Sequence, residues 1–183
     1  MNIKESFQGA AFGLMDGVTT LLGILVGVAA ATGNAKLVIV SGLVGGIANS
    51  FGNAVGFYTS EFAERGQQLE FYKDGKKHEK KYIHSHSEII ASASLSFIAS
   101  VLALIFPILP FFLISDITTA ILICIAISVV ILFSLGYYIG KINVHDGLAS
   151  GVKYVLLGMV SASVGFVVGD VVKHFILGGT QGT

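Results

Sequence analysis

The sequence predicts an all-α integral membrane protein with five transmembrane helices and a short cytoplasmic helical hairpin between helices two and three. Composition is the first observation, because 54% of the 183 residues are hydrophobic and only 12% are charged. Ordinary soluble domains are less apolar than this. The second observation is that five stretches are long enough to cross a hydrocarbon layer of about 30 Å. The third is that most charges lie in one segment, residues 61–88.

The five predicted spans form a single transmembrane domain that occupies residues 1–183. The N-terminal residues lack the basic, apolar and cleavage regions of a secretory signal, so we keep the first stretch as a span. Cys124 is the single cysteine and has no partner for an internal disulfide. The spans cover about residues 8–32, 36–60, 88–113, 117–140 and 148–176, and residues 61–87 form an acidic, histidine-bearing cytoplasmic segment.

The positions of lysine and arginine predict the orientation of the chain. With the N-terminus inside, nine basic residues lie on the cytoplasmic side and only Lys36 and Lys173 lie outside. Cytoplasmic loops normally carry the excess of basic residues. We therefore expect a cytoplasmic N-terminus, in a prokaryotic plasma membrane or alternatively a vacuolar-type membrane. The sequence has no basic field of the kind that nucleic acid would require, so a nucleic-acid partner is not expected.

Glycine spacing predicts which helices form the core. In lipid, small residues four apart let two helices approach closely. The fourth predicted helix has no glycine before Gly136, so we place it at the periphery, against lipid. The predicted core consists of helices one, two and five, which carry the pairs Gly13–Gly17, Gly23–Gly27, Gly42–Gly46, Gly52–Gly56, Gly158–Ala162 and Gly165–Gly169.

Two prolines lie near the end of the third predicted helix. Pro107 and Pro110 each lack an N–H donor and crowd the preceding turn. They therefore either kink the last turns of the helix or end it before a turn that we expect near Asp116.

Asp16 is the most informative residue, because it is a lone carboxylate inside the first predicted span. At 1.5 Å rise per residue it lies about 12 Å into the hydrocarbon layer. An ionised aspartate at mid-helix costs about 3 kcal/mol on insertion scales, and such residues usually face a polar pathway or a partner. We therefore predict an ion site at Asp16. Asn49, Ser50 and Asn53 of the second helix either link helices or line a polar path beside it.

The cytoplasmic segment offers further candidate metal ligands. Carboxylates suit hard or borderline divalent ions, and imidazole suits iron, zinc and similar metals. In an extended segment both histidines would converge with Glu88, whereas on a helix only His84 and Glu88 would share a face. The alternative is a solvated hairpin whose lysines pair with its glutamates. The candidate ligands are Glu61, Glu64 and Glu70 and, second to these, His84, His86 and Glu88.

Several motifs of the chain are informative when taken together. The segment FGLMDGVTT, residues 12–20, followed by Gly23 and Gly27, resembles the first-helix signature of the vacuolar iron transporter family, which includes yeast calcium-cross-complementing and plant nodulin-21-like proteins. Pro107-x-x-Pro110-Phe111 and residues 151–169 are similar to its third and fifth helices. The compact chain is similar to a short prokaryotic-type member.

The resemblance implies a homodimeric transporter with its ion path between the two first helices. Such a protein would move Fe²⁺, and often Mn²⁺, out of the cytosol in exchange for protons, and would need no cofactor. Asp16 would match the membrane-embedded carboxylate of the family. Glu61, Glu64 and Glu70 would occupy the region of its cytoplasmic metal-binding glutamates.

One departure from the family pattern keeps a second function open. Plant-type members carry Ser-Met-Gly in helix two and a glutamate about two turns earlier, whereas this chain has Ser50-Phe51-Gly52 and no acidic residue at Gly42 or Leu43. A non-transporting membrane scaffold or metal sensor is therefore the alternative. An enzyme is not expected, because Asp16 has no nearby Ser/His or histidine-cluster arrangement that could form a catalytic site.

Overall fold

The computed structural model describes residues 3–73, 85–142 and 146–178, and all regular structure within these ranges is helical. Each of the five long helices contains an apolar stretch of at least 18 residues that could cross a membrane. The architecture is therefore that of a multi-pass membrane protein. The part of the predicted cytoplasmic hairpin that spans residues 74–84 lies outside the described residues. The helices are α1 (Ile3–Thr32), α2 (Ala35–Lys73), α3 (His86–Leu113), α4 (Ile117–Ile142) and α5 (Gly147–Val172), and a π-helical turn, Lys173–Leu177, continues α5.

Local polar residues set the helix ends. Gly33 adopts a positive φ of 59° between α1 and α2, a conformation that glycine adopts without steric cost. The Asn34 side chain then accepts hydrogen bonds from two backbone N–H groups at the start of α2. Ser85 and Glu88 form a reciprocal capping box at the start of α3. At the start of α4, the Asp116 carboxylate accepts a hydrogen bond from the backbone N–H of Thr119.

The third helix, rather than the fifth, completes the core with α1 and α2. In α3, 44% of the most apolar 18-residue window is buried, against 22% in α4 and 17% in α5. α1 packs against all four other helices, and α3 packs along both α1 and α2. The predicted core of helices one, two and five is therefore wrong in its third member. Glycine spacing did not reveal α3, because its close approach to α1 uses glycines of α1 and serines of α3.

The glycines of α1 pack against two different helices of the same chain. A Cβ atom on Gly13 or Gly17 would collide with α3 around Ser96 and Ser100. A Cβ atom on Gly27 would lie 2.8 Å from the backbone oxygen of Gly165 in α5. These α1 glycines thus pack against helices of the same chain. A homodimer through helix one would therefore have to form through other residues of α1.

The pair Gly52–Gly56 of α2 behaves differently from the α1 glycines. A Cβ atom added to either glycine would have no described atom within 4 Å apart from its chain neighbours and the nearby backbone of its own helix. The pair therefore packs against nothing within the described part of the chain.

Both prolines lie inside α3, which passes through them and ends at Leu113. The N–H of Ile114 donates to the carbonyl oxygen of Pro110 at 2.9 Å and closes the last turn. Pro107 and Pro110 are buried. Neither proline ends the helix at its own position, although the helix ends within one turn of the second.

Candidate functional site

Asp16 lies half-buried on α1, nine residues after the start of the apolar stretch at Phe7. This distance corresponds to about 13 Å of helix. One carboxylate oxygen, Oδ2, accepts a hydrogen bond from Asn49 Nδ2 at 2.8 Å and a long one from Thr20 Oγ1 at 3.5 Å. Among the described residues, no basic side chain forms an ion pair with Asp16. No described residue of any kind donates a hydrogen bond to the other carboxylate oxygen, Oδ1. The carboxylate is therefore held in place by neutral groups.

The structure brings Asn49 to Asp16 and uses Ser50 differently. Ser50 is fully buried, and its hydroxyl donates to the Gly46 carbonyl of its own helix at 2.8 Å. This bond satisfies the hydroxyl within α2. Of these two neighbouring residues, Asn49 is thus the one whose side chain reaches across to α1.

Asn53 belongs to a second polar junction, one helical turn from Asn49 towards the N-terminal end of α1. Its Nδ2 donates to Ser100 Oγ at 2.8 Å, and the same hydroxyl donates to the Gly13 carbonyl at 2.8 Å. Asn53 and Ser100 are both buried. This junction joins α1, α2 and α3 about one helical turn from Asp16, on the side of the N-terminal end of α1.

Sequence reasoning missed Ser100 and the polar face of α3. Ser92, Ser96 and Ser100 follow one another at four-residue spacing and are all buried. Gly9 and Gly13 of α1 lie against the backbone of Ser92 and Ser96. Three serines four apart in an otherwise apolar helix form one polar face, and this regular spacing is the sequence signal that could have revealed it.

The predicted cytoplasmic glutamates lie along the extension of α2 rather than beside Asp16. Glu61 is 7% exposed, eight residues beyond Asn53, which is about 12 Å of helix. Glu64 is exposed and accepts a hydrogen bond from Gln68 Nε2 at 3.2 Å. Glu70 is exposed as well. Within the described ranges, no group of three or more potential ligands is assembled for a metal ion.

The second set of candidate ligands is only partly described. His84 lies outside the described residues. His86 begins α3, so the extended arrangement that would bring its side chain to Glu88 is not present. The His86 ring lies 5.5 Å from the ring of Phe62, and Glu88 Oε2 accepts hydrogen bonds from the backbone and hydroxyl of Ser85. In this structure, Glu88 therefore caps the helix.

One face of α1 is left open between α2 and α5. Asp16, Thr20, Ile24 and Val28 follow at four-residue spacing and are all half-buried. The last three line a groove of about 500 Å³ between α1 and α5. α2 and α5 make no substantial contact with each other within the described part of the chain. The Asp16 carboxylate thus lies on the same face of α1 as an elongated groove.

Comparison with known proteins places this helical bundle in a family. The sequence profile described as the VIT family matches residues 7–89 and 73–170. The chain belongs to the VIT family. An uncharacterized protein of Methanocaldococcus jannaschii is similar, with 34% identity over 163 residues, covering 85% of this chain and 84% of that protein. A protein of Glycine max named VIT-like transporter 1b is 25% identical over 172 residues, covering 87% of this chain and 72% of that protein.

Membership confirms the resemblance drawn from the first-helix signature. It indicates transport of metal ions across a membrane as the general function. The oxygen groups around Asp16 suit this function, because carboxylate and amide oxygens are ligands for hard and borderline divalent cations.

Proposed function

We propose that this protein is a homodimeric transporter that exports Fe²⁺, and also Mn²⁺, from the cytosol in exchange for protons. The observation that carries the proposal is Asp16, a carboxylate within an apolar span that is held only by Asn49 and Thr20 among the described residues. Carboxylates within membrane spans usually mark ion or proton pathways. The name of the soybean relative, a VIT-like transporter, supports the same function.

Competition between a metal ion and a proton for Asp16 gives the minimal exchange mechanism. Two Asp16 carboxylates brought together across a two-fold axis would repel each other, and either a shared proton or a divalent cation would relieve that repulsion. A divalent cation would displace that proton and neutralise both charges. Release of the metal on the far side would allow a proton to bind again.

The open face of α1 is the basis for the proposed homodimer. A second copy docked along Thr20, Ile24 and Val28 would cover the groove and bring the two Asp16 residues together. The chain has one native cysteine, Cys124, which is buried. A disulfide-linked dimer can therefore be attributed to an introduced cysteine.

Oxidative cross-linking in membranes tests this interface. Thr20→Cys should give a disulfide-linked dimer, whereas Val130→Cys on the exposed surface of α4, 65% exposed, should stay monomeric. Cross-linking of Val130→Cys alone would place the interface elsewhere.

The extension of α2 would form the cytoplasmic mouth of the path. We propose that Glu61, Glu64 and Glu70 gather metal there and that Asn49 and Asn53 supply neutral oxygens further in. The N-terminus would lie in the cytoplasm of a prokaryotic cell, with the protein in the plasma membrane.

Transport by the purified protein in proteoliposomes tests the function. A panel of Fe²⁺, Mn²⁺, Zn²⁺ and Ca²⁺ should show uptake of the first two that increases when the vesicle interior is acidic. A metal sensor or scaffold would bind these ions without moving them. Binding without flux at every imposed pH gradient would therefore favour that alternative.

A further inference from the structure

The hydrogen-bond pattern around Ser100 has a fixed direction. A hydroxyl has one proton to donate, and the backbone carbonyl of Gly13 can only accept. Ser100 Oγ lies 2.8 Å from that carbonyl oxygen and therefore donates its one hydrogen bond to it. Towards Asn53, also at 2.8 Å, the same oxygen can then only accept.

This direction determines which end of the Asn53 amide faces Ser100. The NH₂ group must point to the hydroxyl, because an oxygen at that position would face another acceptor. The amide oxygen, Oδ1, accepts no hydrogen bond from the described residues. Asn53 is 7% exposed, and Ser100 is 2% exposed, so water competes little for these bonds.

Asn49 lacks a comparable constraint. Its NH₂ group donates to the Asp16 carboxylate, and a protonated carboxyl could instead donate to the amide oxygen. The orientation of Asn49 can therefore change with the state of Asp16. The junction of Gly13, Ser100 and Asn53 contains no titratable group, so the orientation of Asn53 stays the same.

We propose that Ser100 is a positioning residue for the ion path, which holds the Asn53 amide with its oxygen rather than its NH₂ group available to a passing cation. The inference rests on the proposed transport function and adds a residue of α3 to it. Ser100 does not itself contact the ion. Without it, the amide is free to turn its partially positive NH₂ group towards the path.

Ser100→Ala tests the proposal, and Ser96→Ala is its matched control. Ser96 lies one turn away on the same face, is fully buried, and its hydroxyl makes no hydrogen bond to the described residues. Mn²⁺ uptake into proteoliposomes should show a KM raised about tenfold in Ser100→Ala, with the maximal rate nearly unchanged. A tenfold change corresponds to about 1.4 kcal/mol, the size of one net hydrogen bond. Ser96→Ala should keep the wild-type KM.

A double-mutant comparison separates positioning from simple helix packing. In Asn53→Asp, both ends of the side chain are oxygen, so there is no orientation left to hold. Ser100→Ala should therefore raise KM by less than about twofold in the N53D background. An equal tenfold rise in both backgrounds would show that Ser100 acts only through packing and would overturn the proposal.

Two further comparisons keep the result readable. Ser100→Cys replaces the hydroxyl by a somewhat larger thiol, which fills the site while weakening both hydrogen bonds. Its KM should therefore also rise in the Asn53 background and not in N53D, even if Ser100→Ala folds poorly. If Asp16→Asn abolishes uptake while Ser100→Ala matches Ser96→Ala, only the role of Ser100 is refuted. If Asp16→Asn transports normally, the proposed transport function itself fails.

Discussion

Replacement of Gly13 by alanine should destabilise the protein through a clash between two helix backbones. The added Cβ would lie 2.8 Å from the carbonyl carbon and 2.9 Å from the Cα of Ser96, and closer still to the Ser96 oxygen. These are backbone atoms of α3, so the clash is relieved only if one helix moves. Overpacking of this kind typically costs about 1–3 kcal/mol.

The expected cost converts into a measurable change in melting temperature. Because the colliding atoms are backbone, the upper end of that range applies, and subtracting about 1 kcal/mol for the helix propensity of alanine leaves a net cost of about 2 kcal/mol. For a domain of this size, 1 kcal/mol shifts Tm by about 2–4 °C, so Gly13→Ala should lower Tm by roughly 4–8 °C. The assay is thermal unfolding of the purified protein in detergent, followed by the fraction that stays monodisperse on size-exclusion chromatography.

Gly52→Ala is the control for this prediction. Apart from its chain neighbours and the nearby backbone of its own helix, no described atom lies within 4 Å of its added Cβ, and alanine favours a helix over glycine by up to about 1 kcal/mol. Its Tm should be unchanged or higher. A loss of Tm in Gly52→Ala equal to that in Gly13→Ala would refute the assignment of close packing to the α1–α3 interface.

Three further predictions concern the site and a helix end. Glu64→Gln should reduce Mn²⁺ uptake less than Asp16→Asn does, because Glu64 is exposed; equal losses would contradict the central role of Asp16. Asn49→Ala should raise the KM for Mn²⁺ about tenfold or more, because a hydrogen bond to a charged group contributes about 1.5–3 kcal/mol; an unchanged KM in the same uptake assay would remove Asn49 from the path. Hydrogen bonds from the Thr119 hydroxyl and then its backbone N–H lower the pKa of Asp116 below 3.8. Because this folded-state pKa is depressed, the stabilisation is present above about pH 3.8 and is lost as the pH falls through the lower value. Asp116→Asn should therefore lower Tm at neutral pH but not in strong acid, and a pH-independent difference would contradict this.

The sequence made the five helices predictable for a physical reason. A stretch of 18 or more apolar residues crosses a bilayer only as a helix, so span positions follow from composition alone. A charged side chain inside such a stretch costs free energy on insertion, so the sequence predicts a functional role for Asp16. For the amides of α2 the sequence left two roles open, and the structure assigns them differently: Asn49 contacts Asp16, whereas Asn53 links α2 to α3.

The pairing of the helices was less predictable. Glycine spacing shows that a helix can approach a neighbour closely, but it does not identify that neighbour. Gly13 packs on α3 and Gly27 packs on α5, although both carry the same local pattern. The direction of a hydrogen bond through Ser100 depends on three helices meeting at one point. No periodicity within a single helix contains that information.

Mn²⁺ flux through the Asp16→Asn variant in proteoliposomes is the measurement that tests the transport proposal most directly. The substitution preserves side-chain size, removes the charge within the α1 span and replaces one acceptor oxygen by an NH₂ donor. Asp116→Asn, which changes an exposed aspartate between α3 and α4, is the matched control and should keep wild-type flux. The proposal predicts that flux through Asp16→Asn falls to the level of empty liposomes. Undiminished flux through Asp16→Asn would contradict it.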